Sequence, residues 1–239
     1  MQFNQRVATR FLWVIAGAVS LVVTSLSAVA DPPEGFVALF NGKDLDGWKG
    51  LVADPEKRAV MKPEELAEAQ KHADENMKEH WAVVDGELTF DGKGDSLCTA
   101  KDYGDFELYV DWKILEGGDS GIYLRGSPQI QIWDTTFEKY KPLGADKGSG
   151  ALWNNQTNPR FPLANTDKPA GEWNTFFIRM VGDKVTVKLN DVLVTDNVVM
   201  ENIWDRKKPM YPRGQIELQN HGNTLWFRNV YLRELNARN

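Results

Sequence analysis

The chain has 239 residues, with 28 basic against 34 acidic side chains and a net charge of −6. That balance argues against a nucleic-acid partner, whose phosphates call for a basic face, and it suits a neutral ligand such as a sugar. Cys98 is the single cysteine, which excludes an intrachain disulfide, and a domain of this size does not need one.

Residues 1–30 read as a secretory signal peptide. Arg6 and Arg10 precede the apolar run FLWVIAGAVSLVVTSL, and Ala28-Val29-Ala30 forms a small-residue cleavage site. An uncleaved N-terminal anchor is the alternative. The expectation is an exported chain, periplasmic or extracellular, starting near Asp31. It would be free of the membrane after cleavage, because no later apolar run approaches bilayer length. Residues 31–239 carry no repeat, low-complexity stretch or linker and read as a single domain.

Phe36 to Phe40 predicts a short strand, and Asn41-Gly42 a turn. Residues 63–79 predict one inserted amphipathic helix. Pro63 suits the first helical position, Glu64 and Glu65 the first turn, and Leu66, Ala69, Ala73 and Met77 recur at steps of three and four. From Trp81 onward short strands alternate with turn signals. HWAVVDGELTFDG predicts a hairpin across Asp85-Gly86. DFELYVDWKILE, SGIYLRG and PQIQIWD follow, then two strands joined at Gly182-Asp183, a turn at Asn190-Asp191, and finally GQIELQNHG and TLWFRNVYLREL. This spacing predicts an all-β sandwich or jelly roll. The long Gly-, Asn- and Pro-rich stretch 135–172 reads as a functional or partly disordered loop. Cys98, in an apolar phase, reads as a buried small hydrophobe.

Side chains alternate along a strand, and several strands here pair an apolar set with a distinctive polar one. Ile216 and Leu218 oppose Gln215, Glu217 and Gln219, with His221 in the same phase. Ile130 and Ile132 oppose Gln129, Gln131 and Trp133. Ile122 and Leu124 oppose Tyr123 and Arg125, and the second face of DFELYVDWK is Glu107, Tyr109 and Asp111. An ordinary wet sheet surface is one reading. A concave groove is the other, in which amides, carboxylates and an Arg bond hydroxyls while aromatic rings pack on a pyranose.

The ordered set FVALFNGKDLDGW, WAVVDGELTFDGKGDSLCT, YGDFELYVDWKI, GDSGIYLRG, PQIQIWD, GSGALWNN, GEWN, ENIWDR, GQIELQNHG and FRNVYLREL resembles the DUF1080 family. Its members are also called 3-keto-disaccharide hydrolase or 3-keto-glucoside lyase/hydratase domains. The resemblance runs from about Gly35 to Leu235 and implies a concanavalin A-like jelly roll of two antiparallel sheets. It also implies a glycoside substrate already oxidised to a ketone at C3. The ketone acidifies the C2 proton; a base removes it, an electrophile holds the enolate oxygen, and the C1 substituent leaves. Hydration of the product would complete net hydrolysis.

The Gln-x-His-Gly motif of the family matches Gln219, His221 and Gly222, so His221 is the first candidate for the chemistry, as base or metal ligand. Arg125 is the candidate electrophile. Glu217 and Asp111 are second acids, as alternative bases or ligands. Gln129, Gln131, Tyr123, Gln219 and the loop residues Trp153 and Asn154 are candidate sugar contacts. Asp134 matches an acidic strand-end position of the family and is a candidate for ligand or metal contact if the strand bends there. A divalent ion held by Asp134 and His221 would suit hard oxygen ligands with one His, but no metal follows from spacing alone. A non-catalytic carbohydrate-binding module and an interaction domain with a Trp-rich surface are the competing readings.

Overall fold

The computed structural model describes residues 30–127 and 129–235. The expected signal segment, up to residue 29, lies outside them. No described helix is long and apolar enough to cross a membrane.

Two antiparallel sheets make the domain, as the strand pattern predicts. In chain order the elements are β1 (Val37–Ala38), β2 (Trp48–Gly50), α1 (Pro55–Val60), α2 (Pro63–His80), β3 (Trp81–Val84), β4 (Glu87–Phe90), β5 (Leu97–Thr99), β6 (Phe106–Ile114), β7 (Asp119–Tyr123), β8 (Gln129–Trp133), β9 (Asn174–Val181), β10 (Lys184–Leu189), β11 (Val192–Val199), β12 (Glu217–Leu218) and β13 (Leu225–Glu234). The larger sheet runs β11-β10-β9-β6-β13-β4-β3, with β1 on β13; the smaller runs β2-β5-β12-β7-β8. The fold is a jelly-roll sandwich.

Turn chemistry sets the hairpins. Asp85 and Gly86 take φ of 52° and 80°, and Asn190 and Asp191 take 50° and 68°. Positive φ at both central residues matches the right-handed twist of the strands each turn joins. Asn229, at φ 50°, marks a register break in β13, which pairs β4 before it and β1 after it.

One core serves both sheets. Phe106, Leu108, Val110, Trp112 and Ile114 of β6 meet Ile122, Ile130, Ile132, Ile216 and Leu218 of the smaller sheet, all 4% exposed or less. Each large side chain buried this way contributes about 1.5–3 kcal/mol. Because the inner phases of both sheets face this core, their polar phases lie on opposite sides of the molecule.

The segment before β3 holds two helices where the periodicity predicts one. Met61 and Lys62 are extended before Pro63, since a proline disfavours helical backbone in the residue preceding it. Ala73 and Met77 are the buried positions of α2, and the helix docks on β2 through Gly50. The Gly50 amide donates to Asp74 Oδ1 (3.0 Å), its carbonyl accepts from Gln70 Nε2 (2.9 Å), and a Cβ there would stand 2.0 Å from the Ala73 carbonyl oxygen. Backbone cannot retreat cheaply from such a clash. Gly50→Ala is expected to cost about 1–3 kcal/mol, the usual scale of overpacking. Hydrogen exchange should show residues 63–80 losing protection before the sheets do.

Candidate functional site

Among the described residues the smaller sheet has a largely polar outer face. Its outer phase carries Asp119, Gly121 and Tyr123 on β7, Gln129, Gln131 and Trp133 on β8, and Glu217 on β12, followed by Gln219. Register aligns Glu217 with Tyr123 and Cys98, Tyr123 with Gln129, and Gly121 with Gln131. Asp119, Tyr123, Gln129, Gln131 and Glu217 are all buried.

A chain of hydrogen bonds crosses this face. Gln129 Nε2 donates to Gln131 Oε1 at 2.7 Å, and Gln131 Nε2 donates to Asp119 Oδ1 at 2.7 Å. The other carboxylate oxygen of Asp119 stands 3.6 Å from His221 Nδ1. His221 is carried on a turn anchored at both ends. Asn220 donates to Ser96 Oγ and the Gly94 carbonyl, the Gly222 amide donates to Asn220 Oδ1, and the Asp119 amide donates to Asn223 Oδ1. The imidazole is 53% exposed, so it is open to a substrate while its Nδ1 side faces the acid.

Burial shifts the acids upward. Asp119 lies above its ordinary range because its carboxylate is desolvated, an effect opposed by His221 and by Gln131. Desolvation pushes Glu217 up to about 7, against the opposing pull of Ser96 and Arg58. Burial likewise keeps the Tyr123 phenol protonated well above its usual range, reinforced by Glu217 and Asp119. Cys98 shares the row but is an unreactive thiol, pushed up to about 12 by burial. Among the described residues no hydrogen-bond partner meets the buried oxygens Gln129 Oε1, Gln215 Oε1 and Gln219 Oε1. Unpaired acceptors of this kind cost stability.

Four expected site residues take other places. Asp111 belongs to the larger sheet, so its polar phase faces away from this site. It accepts from Thr175 Oγ1, Asn229 Nδ2 and Arg228 Nε on the opposite outer face. Arg125 is no electrophile for the site. Its φ of 53° turns the chain out of β7, and its buried guanidinium donates to the carbonyls of Gly104, Gly182 and Tyr211 and to Asp105. Asp134 does not bend into the polar face. Its carboxylate accepts from the amides of Gly117 and Thr136 and from Thr136 Oγ1, bonds that hold it below its ordinary range against the opposing effect of burial. Asp134 instead lines a cavity of about 530 Å³ with Leu115, Phe137 and Pro169 at the sandwich edge. Its acid is spent on a turn, whereas the polar face gathers perturbed acids and unpaired oxygens. Trp153 is no free platform: it packs edge-on against Trp133 at 5.2 Å and carries the Arg160 guanidinium 3.4 Å over its ring.

Asn154 remains at the β8 margin, accepting from the Gln129 amide at 3.3 Å. The loop bearing it is anchored by Glu201, whose carboxylate accepts from the amides of Gln156, Thr157 and Asn158. For a divalent ion the described residues offer no cluster of three His, Cys, Asp or Glu side chains. The expected pair of Asp134 and His221 does not fit, because the Asp134 carboxylate is committed to its turn.

Asp119 was not anticipated, yet the signal was present. The alternation that selects Tyr123 reaches Gly121 and Asp119 two and four residues earlier.

Glu217 ties stability to pH with a definite sign. Its folded pKa of about 7 lies above the ordinary 4.5, so the folded chain holds the proton more tightly. Stability is full below about 4.5 and falls as pH rises through 7, by roughly 3 kcal/mol in all. Urea denaturation should find Glu217→Gln gaining on the parent between pH 4 and pH 8.

Comparison with known proteins agrees with this architecture. A 3-keto-disaccharide hydrolase of Bacteroides thetaiotaomicron is 23% identical over 84% of this chain and 79% of its own length. A candidate glycosyl hydrolase of Parabacteroides distasonis, known from its crystal structure, shares the fold with a TM-score of 0.62 at 24% identity, over 85% of each chain. A third protein, also a candidate glycosyl hydrolase of Parabacteroides distasonis, gives 0.56 at 29% identity over 66% of this chain and 91% of its own. The 3-keto-alpha-glucoside-1,2-lyase-like domain matches residues 35–233, and the chain belongs to that family.

Proposed function

We propose that the protein is an exported enzyme that cleaves 3-keto-glycosides on the polar face of its smaller sheet, by elimination followed by hydration to give net hydrolysis. The observation that carries the reading is the Asp119–His221 pair at 3.6 Å, set beside a buried glutamate poised near neutrality. Family membership supplies the substrate class.

The chemistry divides among the residues as follows. With Nδ1 turned to Asp119, His221 presents Nε2 as the base for the C2 proton. Asp119 stabilises the imidazolium that forms. The electron pair of the C2–H bond passes into an enolate whose oxygen is the former C3 ketone. Tyr123, held protonated by burial, takes the electrophilic role that Arg125 cannot fill and donates its hydroxyl hydrogen toward that oxygen. The C1–O bond then breaks. Glu217, about half protonated near pH 7, gives its proton to the departing alkoxide. The product is a 2-hydroxyglycal-3-ketone, and addition of water restores a 3-keto sugar. Export by cleavage after Ala30 is part of the same proposal, and the intact mass of protein recovered from a secreting host tests it.

An NMR time course with a 3-keto-glucoside tests the catalytic roles. His221→Ala and Asp119→Asn should each lower turnover by about 10²-fold or more. Tyr123→Phe should lower it by about 10- to 100-fold with little change in melting temperature. Binding of the sugar without turnover by the parent protein would instead assign the face to carbohydrate binding alone.

A further inference from the structure

The chain enters the fold across the outer face of the larger sheet. Phe36 packs on the Tyr109 ring at 5.2 Å, with the Arg233 guanidinium 4.7 Å over its own ring, and its amide donates to the Pro33 carbonyl at 2.9 Å. β1 then pairs Ala38 with Tyr231 of β13. Asp31-Pro32-Pro33 leads into this anchor, and two fixed proline φ angles leave it few conformations to lose. The residue before it, Ala30, ends at Tyr231: the Ala30 carbonyl accepts from the Tyr231 hydroxyl.

That hydroxyl is claimed twice. Asn229 Oδ1 stands 3.0 Å from Tyr231 Oη as a second acceptor, and a hydroxyl has one hydrogen to give. The Asn229 amide cannot turn to offer a donor instead. Its Nδ2 donates to Asp111 Oδ2 at 2.7 Å, and a flip would set oxygen against carboxylate. While Ala30 is present, one of the two oxygens therefore faces the lone pairs of Tyr231 Oη, a buried group that water does little to relieve. Burial, and then the negative charges of Asp111 and Asp31, hold the phenol protonated above its ordinary range. Arg228, 3.3 Å from Asp111 Oδ2, offsets one of those charges.

We infer that Tyr231, Asn229 and Asp111 form the receptor for the mature amino terminus, the α-ammonium that cleavage after Ala30 creates on Asp31. This rests on the export reading proposed above and gives the cut a structural consequence. A peptidase adds water across the Ala30–Asp31 peptide bond; the carboxylate departs with the leader, and the released amine takes a proton. An acceptor beside Tyr231 is thereby exchanged for a donor. The hydroxyl hydrogen goes to Asn229 Oδ1, Tyr231 Oη accepts from the ammonium, and the carboxylates of Asp111 and Asp31 face the new charge. Processing completes a hydrogen-bond chain that the precursor leaves in conflict, so the folded domain favours the cut chain.

Two otherwise identical chains test this, one beginning at Asp31 and one at Ala30, both with a free amine. In the second the Ala30 carbonyl keeps its place. The Asp31 chain should melt roughly 2–4 °C higher, and Tyr231→Phe should remove the gap. Its α-amine should also react several-fold more slowly with an acylating reagent at neutral pH than that of the Ala30 chain, read by mass spectrometry of the amino-terminal peptide, with the two rates equal in denaturant. Equal melting temperatures, or a gap that survives Tyr231→Phe, overturn the inference. If the phenylalanine variant does not fold, the labelling rates decide, and equal rates in the two folded chains overturn it. Protein from a secreting host whose mass shows a start other than Asp31 overturns the cleavage reading itself, a result distinct from either of those.

Discussion

Side chains alternate along a strand, and five strands bonded side by side turn that local rule into a property of a whole surface. The inner phase of the smaller sheet closes the core shared with the larger one. The outer phase is then released from packing and can hold amides and acids. Three acceptors order this phase: Gln131 Nε2 donates to Asp119 Oδ1 and to the carbonyls of Ser120 and Ile132, so the amides run donor to acceptor across β8, while the other oxygen of Asp119 faces the imidazole of His221. The imidazole of His221 and the amide of Gln129 thus meet the same carboxylate, one directly and one through Gln131.

The two outer faces of the sandwich make an instructive contrast. On the larger sheet the polar groups satisfy one another. Asp111 collects three side-chain donors, Glu107 pairs with Arg179 and Arg233, and Lys113 sits against the rings of Trp173 and Trp226. On the smaller sheet, Asp119 faces an imidazole at 3.6 Å, Glu217 is buried, and among the described residues the oxygens of Gln129, Gln215 and Gln219 lack partners. Such features cost folding free energy, and they persist where a ligand or a proton transfer makes use of them. Their one-sidedness is what marks the outer face of the smaller sheet as the candidate site.

Much of this was legible in the sequence because it rests on periodicity. The sandwich, the two positive-φ hairpins and the composition of the β8 and β12 faces all follow from alternation and turn residues. What escaped depends on backbone departures that alternation does not encode. Arg125 holds the correct phase, but its left-handed backbone swings it away from the sheet. Asp134 follows the strand end by one residue, and its turn captures both carboxylate oxygens. Asp111 has the correct alternation on the wrong sheet, because period alone does not say which of two sheets a strand joins. Asp119 was within reach of the rule and needed only two further steps along β7.

Arg125 has a consequence for how the molecule comes apart. Its guanidinium joins Gly104, Asp105, Gly182 and Tyr211, positions 20 to 86 residues away along the chain. Contacts that close such long loops are entropically expensive to form before the surrounding structure exists. The cluster therefore belongs to the last stage of assembly and acts mainly on the lifetime of the folded state. In kinetic terms Arg125 is a latch: weakening it speeds unfolding and leaves the rate of folding nearly unchanged.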